Sequence, residues 1–315
     1  MDLGDAAPGP DRLVVRGDVG ATASLTCAGA LPWGQPFDQR PDEAFSLTYD
    51  WAPLEGELEL LGYPRFEAVV TASAPVAYLT AKLCDVFEDG TSALVSRGIL
   101  NLAQRDSSAD PQPLEPGRPY RVTVDLTATS WLFEPGHRMR LDVAGADWPN
   151  CWAPPQPISL TIERASSRLV VPVVGPPERP LPEPRLTPPP VQRAVPSASL
   201  DLRPTLWRVE HDVLERESRV LVDHGSTYDL ELDGNATEDY RGLCAVSAED
   251  HGRARAEGRA RFQIEWPAAT VETEARLVLR SDRDRYDLEL ELDVSEDGEL
   301  KWKREWRAVY PRRLQ

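Results

Sequence analysis

The sequence lacks the long apolar runs and leader segments that direct proteins into or across membranes. No apolar stretch approaches the ~18–20 residues that span a bilayer. The N-terminal segment MDLGDAAPGPDR has neither the basic region nor the apolar region of a signal peptide. We therefore expect a cytoplasmic protein that does not enter a membrane.

Basic residues are scarce relative to acidic ones. The formal net charge is −17, and the only lysines are Lys82, Lys301 and Lys303. Nucleic-acid binding requires a positive field that releases counterions, and anionic lipid surfaces attract basic segments. The charge balance therefore argues against a nucleic-acid partner and against an anionic membrane surface.

Paired cysteines and histidines at ligand spacing are also missing. Cys27, Cys84, Cys151 and Cys244 lie far apart and form no C-x-x-C pair. The histidines show none of the i, i+4 or H-x-H spacings of a metal site; they are His137, His211, His224 and His251. We therefore expect buried free thiols, no disulfide framework, no metal and no cofactor.

No serine lies in the G-x-S-x-G pattern of an α/β-hydrolase nucleophile elbow, so no catalytic residue is predicted. Ser92 follows Gly90-Thr91, but Leu94 stands where the second glycine is needed, and a hairpin role is favoured. In the local run Asp223–Ser226 (DHGS), neighbouring side chains of an extended chain point to opposite faces, and we interpret this run as a turn.

Three other polar motifs have a structural interpretation. Asp85, Glu88 and Asp89 resemble a calcium loop but lack its full pattern, which favours a solvated acidic turn. Asn235-Ala236-Thr237 forms a glycosylation sequon, which we interpret as a turn because no secretory signal is present. The run SDRDRYD (281–287) is predicted to be a charged strand edge.

Short strands dominate what the sequence does contain. Apolar residues alternate with polar ones in many segments, for example at Tyr120, Val122 and Val124, and turn signals such as Glu88-Asp89-Gly90 separate these segments. After residue 200 the same alternation continues, and Asp233-Gly234 and Asp297-Gly298 predict hairpins. No long helical period is found. The pattern predicts an all-β protein, with a sandwich or jelly roll first and an antiparallel meander second.

A proline-rich segment divides the chain. Residues 176–196 contain nine prolines and no apolar periodicity, which is typical of an extended linker. We predict a first domain over 1–174, a linker over 175–199 and a second β domain over 200–315.

An aromatic cluster is the most distinctive candidate binding feature. Trp131, Phe133, Trp148 and Trp152 lie in or near predicted loops. Two interpretations stay open, namely plugs at the ends of a sandwich core, or side chains that line a pocket or an interface.

Residues 38–107 (with the AKLCDV strand) and 114–150 (with LEPG and F-x-PGHR-x-R) carry a family pattern. This pattern resembles the C-terminal region of CocE/NonD hydrolases, the cocaine esterase and X-Pro dipeptidyl-peptidase family, over about residues 10–174. Residues 200–315 more loosely resemble a β domain that some bacterial members append. The resemblance implies a jelly-roll, galactose-binding-like fold that packs on an α/β-hydrolase domain and helps to close its substrate pocket. It also implies that the serine triad of the family lies before this region, so no triad residue is carried over.

Two functions follow as expectations. The first is an accessory subunit or fragment of an acyl esterase or X-Pro dipeptidyl-peptidase, inactive alone, which partners an α/β-hydrolase domain. Trp131, Trp148 and Trp152 are the candidate contact residues for that partner. The alternative is a stand-alone module that binds carbohydrate or protein through the same tryptophans. The oligomeric state is left open.

Overall fold

The structure is a computed structural model that describes residues 1–3, 9–21, 38–175, 200–230 and 232–315, with the backbone alone for 200–202. Cys27 and nearly all of the predicted linker therefore lie outside the described residues. The division into two domains and a linker stays a prediction. Below, residues 9–175 are called the N-terminal sandwich and residues 200–315 the C-terminal sheet.

The described chain is built almost entirely of antiparallel strands, which confirms the predicted all-β class. The strands of the N-terminal sandwich are β1 (Pro10–Val14), β2 (Leu47–Asp50), β3 (Leu58–Gly62), β4 (Arg65–Ala72), β5 (Tyr78–Val86), β6 (Ser92–Asn101), β7 (Pro119–Asp125), β8 (Thr129–Phe133), β9 (Arg138–Ala144), β10 (Ser159–Glu163) and β11 (Arg168–Val170). Its helical segments are α1 (Arg40–Glu43) and two 3₁₀ turns, Leu102–Gln104 and Arg164–Ser166. No helix in the described residues is long and apolar enough to cross a membrane.

Two sheets enclose the main core of the sandwich. One has the order β1-β10-β4-β11, with β7 also paired to β4, and the other has the order β2-β9-β5-β6. Phe66 and Leu160 from the first sheet meet Leu83 and Leu141 from the second in one buried cluster. Burial of these alternating apolar residues is the main stabilising contribution to this half of the chain. Strands β3 and β8 form a separate two-stranded ribbon.

Strand β5 differs from its expected half-buried character, because every residue from Tyr78 to Val86 is buried. Leu83 and its neighbours on one face contact the core. The other face is covered by the segment around α1, where the Lys82 ammonium donates to Asp42 (3.0 Å) and to Gln39 (3.1 Å). Local alternation does not predict this cover, because α1 comes from a distant part of the chain.

The C-terminal sheet is one antiparallel meander with long strands, as expected. Its strands are β12 (Leu200–Leu202), β13 (Leu206–Asp212), β14 (Glu217–Leu230), β15 (Gly234–Ser247), β16 (Ala254–Trp266), β17 (Ala269–Ser281), β18 (Arg285–Glu296) and β19 (Glu299–Pro311). Among the described residues, β14 to β19 pair in sequence order, and β12 and β13 both pair with β14.

Both Asp-Gly hairpins are confirmed. At the second one, Asp297 and Gly298 both have positive φ (51° and 77°), the conformation that a tight two-residue turn requires. At the first one, Leu232 and Asp233 adopt φ values of 62° and 57° before Gly234 begins β15.

Two predicted turns are wrong, because strands continue through them. Asp223–Ser226 lies in the middle of β14 and pairs with Glu238–Arg241 of β15. The sequon at Asn235–Thr237 begins β15 and pairs with both neighbouring strands. The ladder between β14 and β15 is continuous through both segments, and the sequon also pairs with β16. On the other side of Asp223–Ser226, pairing passes from β13 at Asp223 to β12 at Ser226. Polar side chains are tolerated there because these ladders satisfy backbone groups, which outweighs local turn preference.

Candidate functional site

Two of the three candidate tryptophans lie at the junction between the N-terminal sandwich and the C-terminal sheet. Trp148 follows β9, is only 2% exposed, and clusters with Val220, Val246 and Ala254 of the sheet. Trp152 packs against the same cluster, and its indole N–H donates to the Ser281 hydroxyl at 2.8 Å. These side chains therefore join the two halves of the chain.

The third candidate, Trp131, contacts a different part of the molecule. It lies on β8, packs against the sandwich core, and donates its indole N–H to Asp85 at 3.1 Å. The other oxygen of Asp85 lies 3.0 Å from Nδ1 of His137. Asp85 is therefore a buried acceptor in β5 and does not belong to an acidic turn with Glu88 and Asp89. Phe133, the fourth aromatic residue, is fully buried in the core.

The structure thus brings Trp148 and Trp152 together and leaves Trp131 apart. Sugar stacking needs an open ring face. Trp148, which is 2% exposed, has almost no surface available for such stacking.

Sequence analysis missed a polar cluster at the same junction. The Ser218 hydroxyl of β14 donates to the Asp18 carboxylate at 2.6 Å, and the Nδ1 atom of His211 lies 2.8 Å from the same hydroxyl. Arg16 binds Asp18 through two N–H groups. The cluster borders a cavity of about 550 Å³ whose lining also includes Phe45. About 200 positions separate Asp18 from Ser218, and no local motif indicates their contact.

This serine, histidine and aspartate do not form a nucleophilic triad. In a triad, one imidazole nitrogen accepts the serine proton while the other nitrogen is held by the carboxylate. Here the Ser218 hydroxyl donates its hydrogen bond directly to the Asp18 carboxylate, and the distance from that carboxylate to the Nδ1 atom of His211 is 3.9 Å. Burial opposes ionisation of Asp18, but the bonds from Arg16 and Ser218 outweigh it and hold the pKa of that carboxyl below its ordinary value. These hydrogen bonds hold the Asp18 carboxylate and the Ser218 hydroxyl in fixed positions.

A second buried cluster lies under α1, where Glu43, Cys84 and Asp142 place ligand atoms within 4.8 Å of one another. Burial, and next the nearby Glu43 carboxylate, raise the pKa of Asp142 well above its ordinary value. The Cys84 thiol lies 3.4 Å from Asp142, and burial also raises the pKa of this thiol. Arg140 donates to the Glu43 carboxylate at 2.6 Å, and this pairing offsets part of the negative charge of the cluster. Among the residues that the structure describes, Glu43, Cys84 and Asp142 are the group whose carboxylate and thiol atoms lie close enough together to contact one cation.

An exposed apolar patch lies on the outer side of the β3–β8 ribbon. Leu61 is 64% exposed and Leu132 is 46% exposed, and the pairing register places both on the face opposite Leu60 and Trp131. Tyr63, Val173 and Val174 extend the exposed apolar surface next to the ribbon, and Val174 is held there by a bond from its N–H to the carbonyl of Glu59. Glu59 and Ser130 share this face with the two leucines. Exposed apolar side chains grouped in this way are typical of interaction sites.

Comparison with known families identifies the N-terminal half of the chain. The profile of the X-Pro dipeptidyl-peptidase C-terminal non-catalytic domain matches residues 7–179. Because this match covers more than half of the chain, the protein belongs to that family. The predicted resemblance to CocE/NonD hydrolases is therefore confirmed for the non-catalytic region.

Two curated relatives are similar to part of the chain. Cocaine esterase of Rhodococcus sp. is 36% identical over 116 residues, which is 36% of this chain and 20% of the esterase. A putative X-Pro dipeptidyl-peptidase of Streptomyces avermitilis is 26% identical over 224 residues, which is 53% of this chain and 33% of the relative. The chain therefore spans about a fifth to a third of the length of these relatives.

Two solved structures align with part of the chain at lower sequence identity. An aminopeptidase from a marine sediment archaeon (Thaumarchaeota) aligns with a TM-score of 0.47 at 20% identity, over 54% of this chain and 34% of the aminopeptidase. An α-amino acid ester hydrolase aligns with a TM-score of 0.45 at 20% identity, over 54% of this chain and 33% of the hydrolase.

Proposed function

We propose that this chain is the accessory, non-catalytic β region of an acyl esterase or X-Pro dipeptidyl-peptidase, and that it packs on an α/β-hydrolase domain and helps to shape the substrate pocket. The family membership of residues 7–179 carries the proposal. The matched relatives bear the names of an esterase and a dipeptidyl-peptidase and are several times longer than the matched region. We therefore expect a non-catalytic domain of this family to act together with a catalytic domain.

The exposed ribbon patch supports a docking role. Leu61, Tyr63 and Leu132 present apolar side chains to solvent on the N-terminal sandwich, the half of the chain that carries the family match. Removal of these side chains from water on association lowers the free energy of the complex by roughly 25 cal/mol for each Å² of apolar surface buried. We therefore assign the β3–β8 ribbon as the surface that contacts the hydrolase domain.

The state of the serines supports a chain that is inactive on its own. Ser92 is fully buried in β6, and the Ser218 hydroxyl is bound to a carboxylate. Neither residue lies on a strand-to-helix turn, and the sequence holds no G-x-S-x-G motif. Hydrolysis by the assembled protein then depends on a nucleophile from the partner domain.

A binding experiment with a matched control tests the proposal. The probe is the separately expressed catalytic portion of the Streptomyces dipeptidyl-peptidase, without its own C-terminal region, and analytical ultracentrifugation measures the complex. We expect the double variant Leu61→Asp/Leu132→Asp to abolish binding. Val14→Asp, at a position 70% exposed on β1, should leave it intact.

An activity test on the chain alone completes the experiment. We expect no turnover of a p-nitrophenyl acyl ester or an X-Pro anilide, and no fluorophosphonate adduct by intact mass. A stoichiometric adduct on one serine would overturn the non-catalytic assignment. Equal binding of the probe by the wild type and the ribbon variant would overturn the docking assignment.

A further inference from the structure

The C-terminal sheet has one face that is almost free of charge. Strand register places Phe262, Leu277, Leu290, Leu292, Trp302 and Trp306 on the same side, because residues paired across antiparallel strands share a face. We call this side the apolar face. Trp and Tyr residues, which contribute most strongly to protein interfaces, recur along it.

The opposite side carries the charges. Arg276, Glu289 and Lys303 project from it, and ion pairs such as Arg280–Glu289 at 3.0 Å link neighbouring strands. A sheet with one charged side and one apolar side is typical of a layer that packs on a second apolar layer. The segregation of side chains therefore predicts a cover for the apolar face.

The N-terminal sandwich covers only one end of this face. Trp148 contacts the cluster of Val220, Val246 and Ala254, which lies at the end of the sheet nearest the sandwich. Towards the other end, Trp266 is 38% exposed and Trp302 is 43% exposed. The open part is continuous with the covered part, so the same surface that already forms an intramolecular interface extends into solvent.

We propose that the open part of the apolar face packs against the same face of a second copy of this chain. From β15 to β19, over the nine residues farthest from the sandwich, strands ~4.8 Å apart with a ~3.3 Å rise give a flat area of ~700 Å². A standard interface buries about 800 Å² per partner, and side-chain relief adds to the flat value. The area is thus what a stable dimer needs.

Charge placement favours a symmetric pair of copies. Within the area from β15 to β19, Glu238 lies on the first strand, which pairs onward with β14, and Arg304 lies on the edge strand β19. A two-fold axis along the central strand β17 lays β15 of each copy over β19 of the other. Glu238 lies in the same row of paired residues as Trp302, and Arg304 lies in the next row on the same face. Glu238 of one copy is therefore one row away from Arg304 of the other copy, and the symmetry forms this pair twice. The strongly charged sides face outwards, which keeps the repulsion between two chains of net charge −17 low.

Sedimentation equilibrium of the whole chain tests the proposal with a matched pair of variants. Leu277 and Val278 are neighbours in β17, and Leu277 lies on the apolar face beside Leu290 while Val278 lies on the charged face beside Glu289. We expect a wild-type dimer, a monomer for Leu277→Arg, and a dimer for Val278→Arg. Far-UV circular dichroism checks that both variants keep their strand content.

A third variant covers the case in which Leu277→Arg fails to fold. Trp302 is on the edge strand and already 43% exposed, so Trp302→Glu removes few contacts within one copy. We expect this change to raise the dimer dissociation constant at least about tenfold, as for a central aromatic residue of an interface. A wild-type chain that stays monomeric from about 1 to 100 µM would overturn the proposal. A dimer that withstands both Leu277→Arg and Trp302→Glu would also overturn it.

The ribbon on β3 and β8 is not part of this face. Failure of the dimer prediction therefore leaves the hydrolase-docking proposal standing, and the reverse also holds.

Discussion

The N-terminal sandwich and the C-terminal sheet are both antiparallel, but they bury their residues in different ways. In the sandwich, two sheets share a core in which side chains such as Leu79, Leu141 and Leu160 have no exposed surface. In the C-terminal sheet, most residues of the strands from β16 to β18 are only partly buried, because one layer forms the whole structure. The N-terminal sandwich is stabilised mainly by side-chain packing in its core. The C-terminal sheet depends more on the backbone hydrogen bonds between its strands.

This difference shows which interactions stabilise a sheet that forms a single layer. Strands of 12 to 14 residues give the C-terminal sheet long pairing from β14 to β19, with one register shift between Val294 and Ser295 in the β18–β19 pair of the described residues. Cross-strand pairs such as Arg261–Glu272 at 2.6 Å add small contributions on the charged face. An isolated layer still lacks a core of its own, so its attachment to the sandwich becomes a point of high sensitivity.

The largest expected effect is at that attachment. Trp148→Ala empties a site that is 2% exposed between the two halves, and a change of this kind typically costs about 3–5 kcal/mol. We expect the two halves, coupled in the wild type, to unfold in two separate denaturant transitions when followed by far-UV circular dichroism.

Trp131→Ala is the control for this experiment, because Trp131 contacts the sandwich core and not the C-terminal sheet. Trp131→Ala should lower the denaturant concentration at the midpoint of unfolding, and the two halves should still unfold in one transition. A single transition in Trp148→Ala would show that the junction does not depend on this side chain.

The second prediction compares the same substitution in the two kinds of layer. Val143 is fully buried in β9, whereas Val278 is partly buried on the charged face of β17. We expect Val143→Ala to lower the free energy of unfolding by about 2–3 kcal/mol and Val278→Ala by less than about 1 kcal/mol. Urea titration measures both. Equal losses would mean that the C-terminal sheet is packed as tightly as the sandwich.

The smallest effect concerns the polar link at the junction and depends on pH. Asp18 has a pKa below its ordinary value of 3.8, so its bonds to Arg16 and Ser218 stabilise the fold above that pH. This stability is lost as the pH falls through the lowered pKa. Asp18→Asn should therefore cost about 1–2 kcal/mol at pH 7, and the cost should shrink below about pH 4.

Asp11→Asn serves as the comparison for Asp18. The pKa of Asp11 is also below its ordinary value, but its partners Arg164 and Tyr49 both belong to the sandwich. Only Asp18→Asn should weaken the coupling between the two halves. A pH-independent cost for Asp18→Asn would argue against an ionised Asp18 at the junction.

Several features were predicted from the sequence because they depend on neighbouring residues. Alternation located strands such as β4, β7 and β9, and Asp297-Gly298 predicted the last hairpin. The family pattern also lies within contiguous segments, and the family comparison confirmed it. The turn predictions at Asp223 and Asn235 failed because strand pairing on both sides overrides the local preference of polar residues.

The candidate site was predicted only in part. Trp131, Trp148 and Trp152 stand out in the sequence as aromatic residues in or near predicted loops, but the sequence does not indicate whether they fill a core or form an interface. The cluster of Asp18, His211 and Ser218 joins residues from the two ends of the chain and has no local pattern.

The all-β class, the hairpins, the family of residues 7–179 and the lack of a G-x-S-x-G motif can be predicted from the sequence, because each depends on residues close together in the chain. Three features become visible only in the folded chain: Trp148 joins the sandwich to the C-terminal sheet, β5 is buried on both faces, and one face of the C-terminal sheet is partly open. They could not be predicted because burial and ion pairing depend on which distant segments meet. Strand periodicity indicates which side of a strand is apolar but not what covers it.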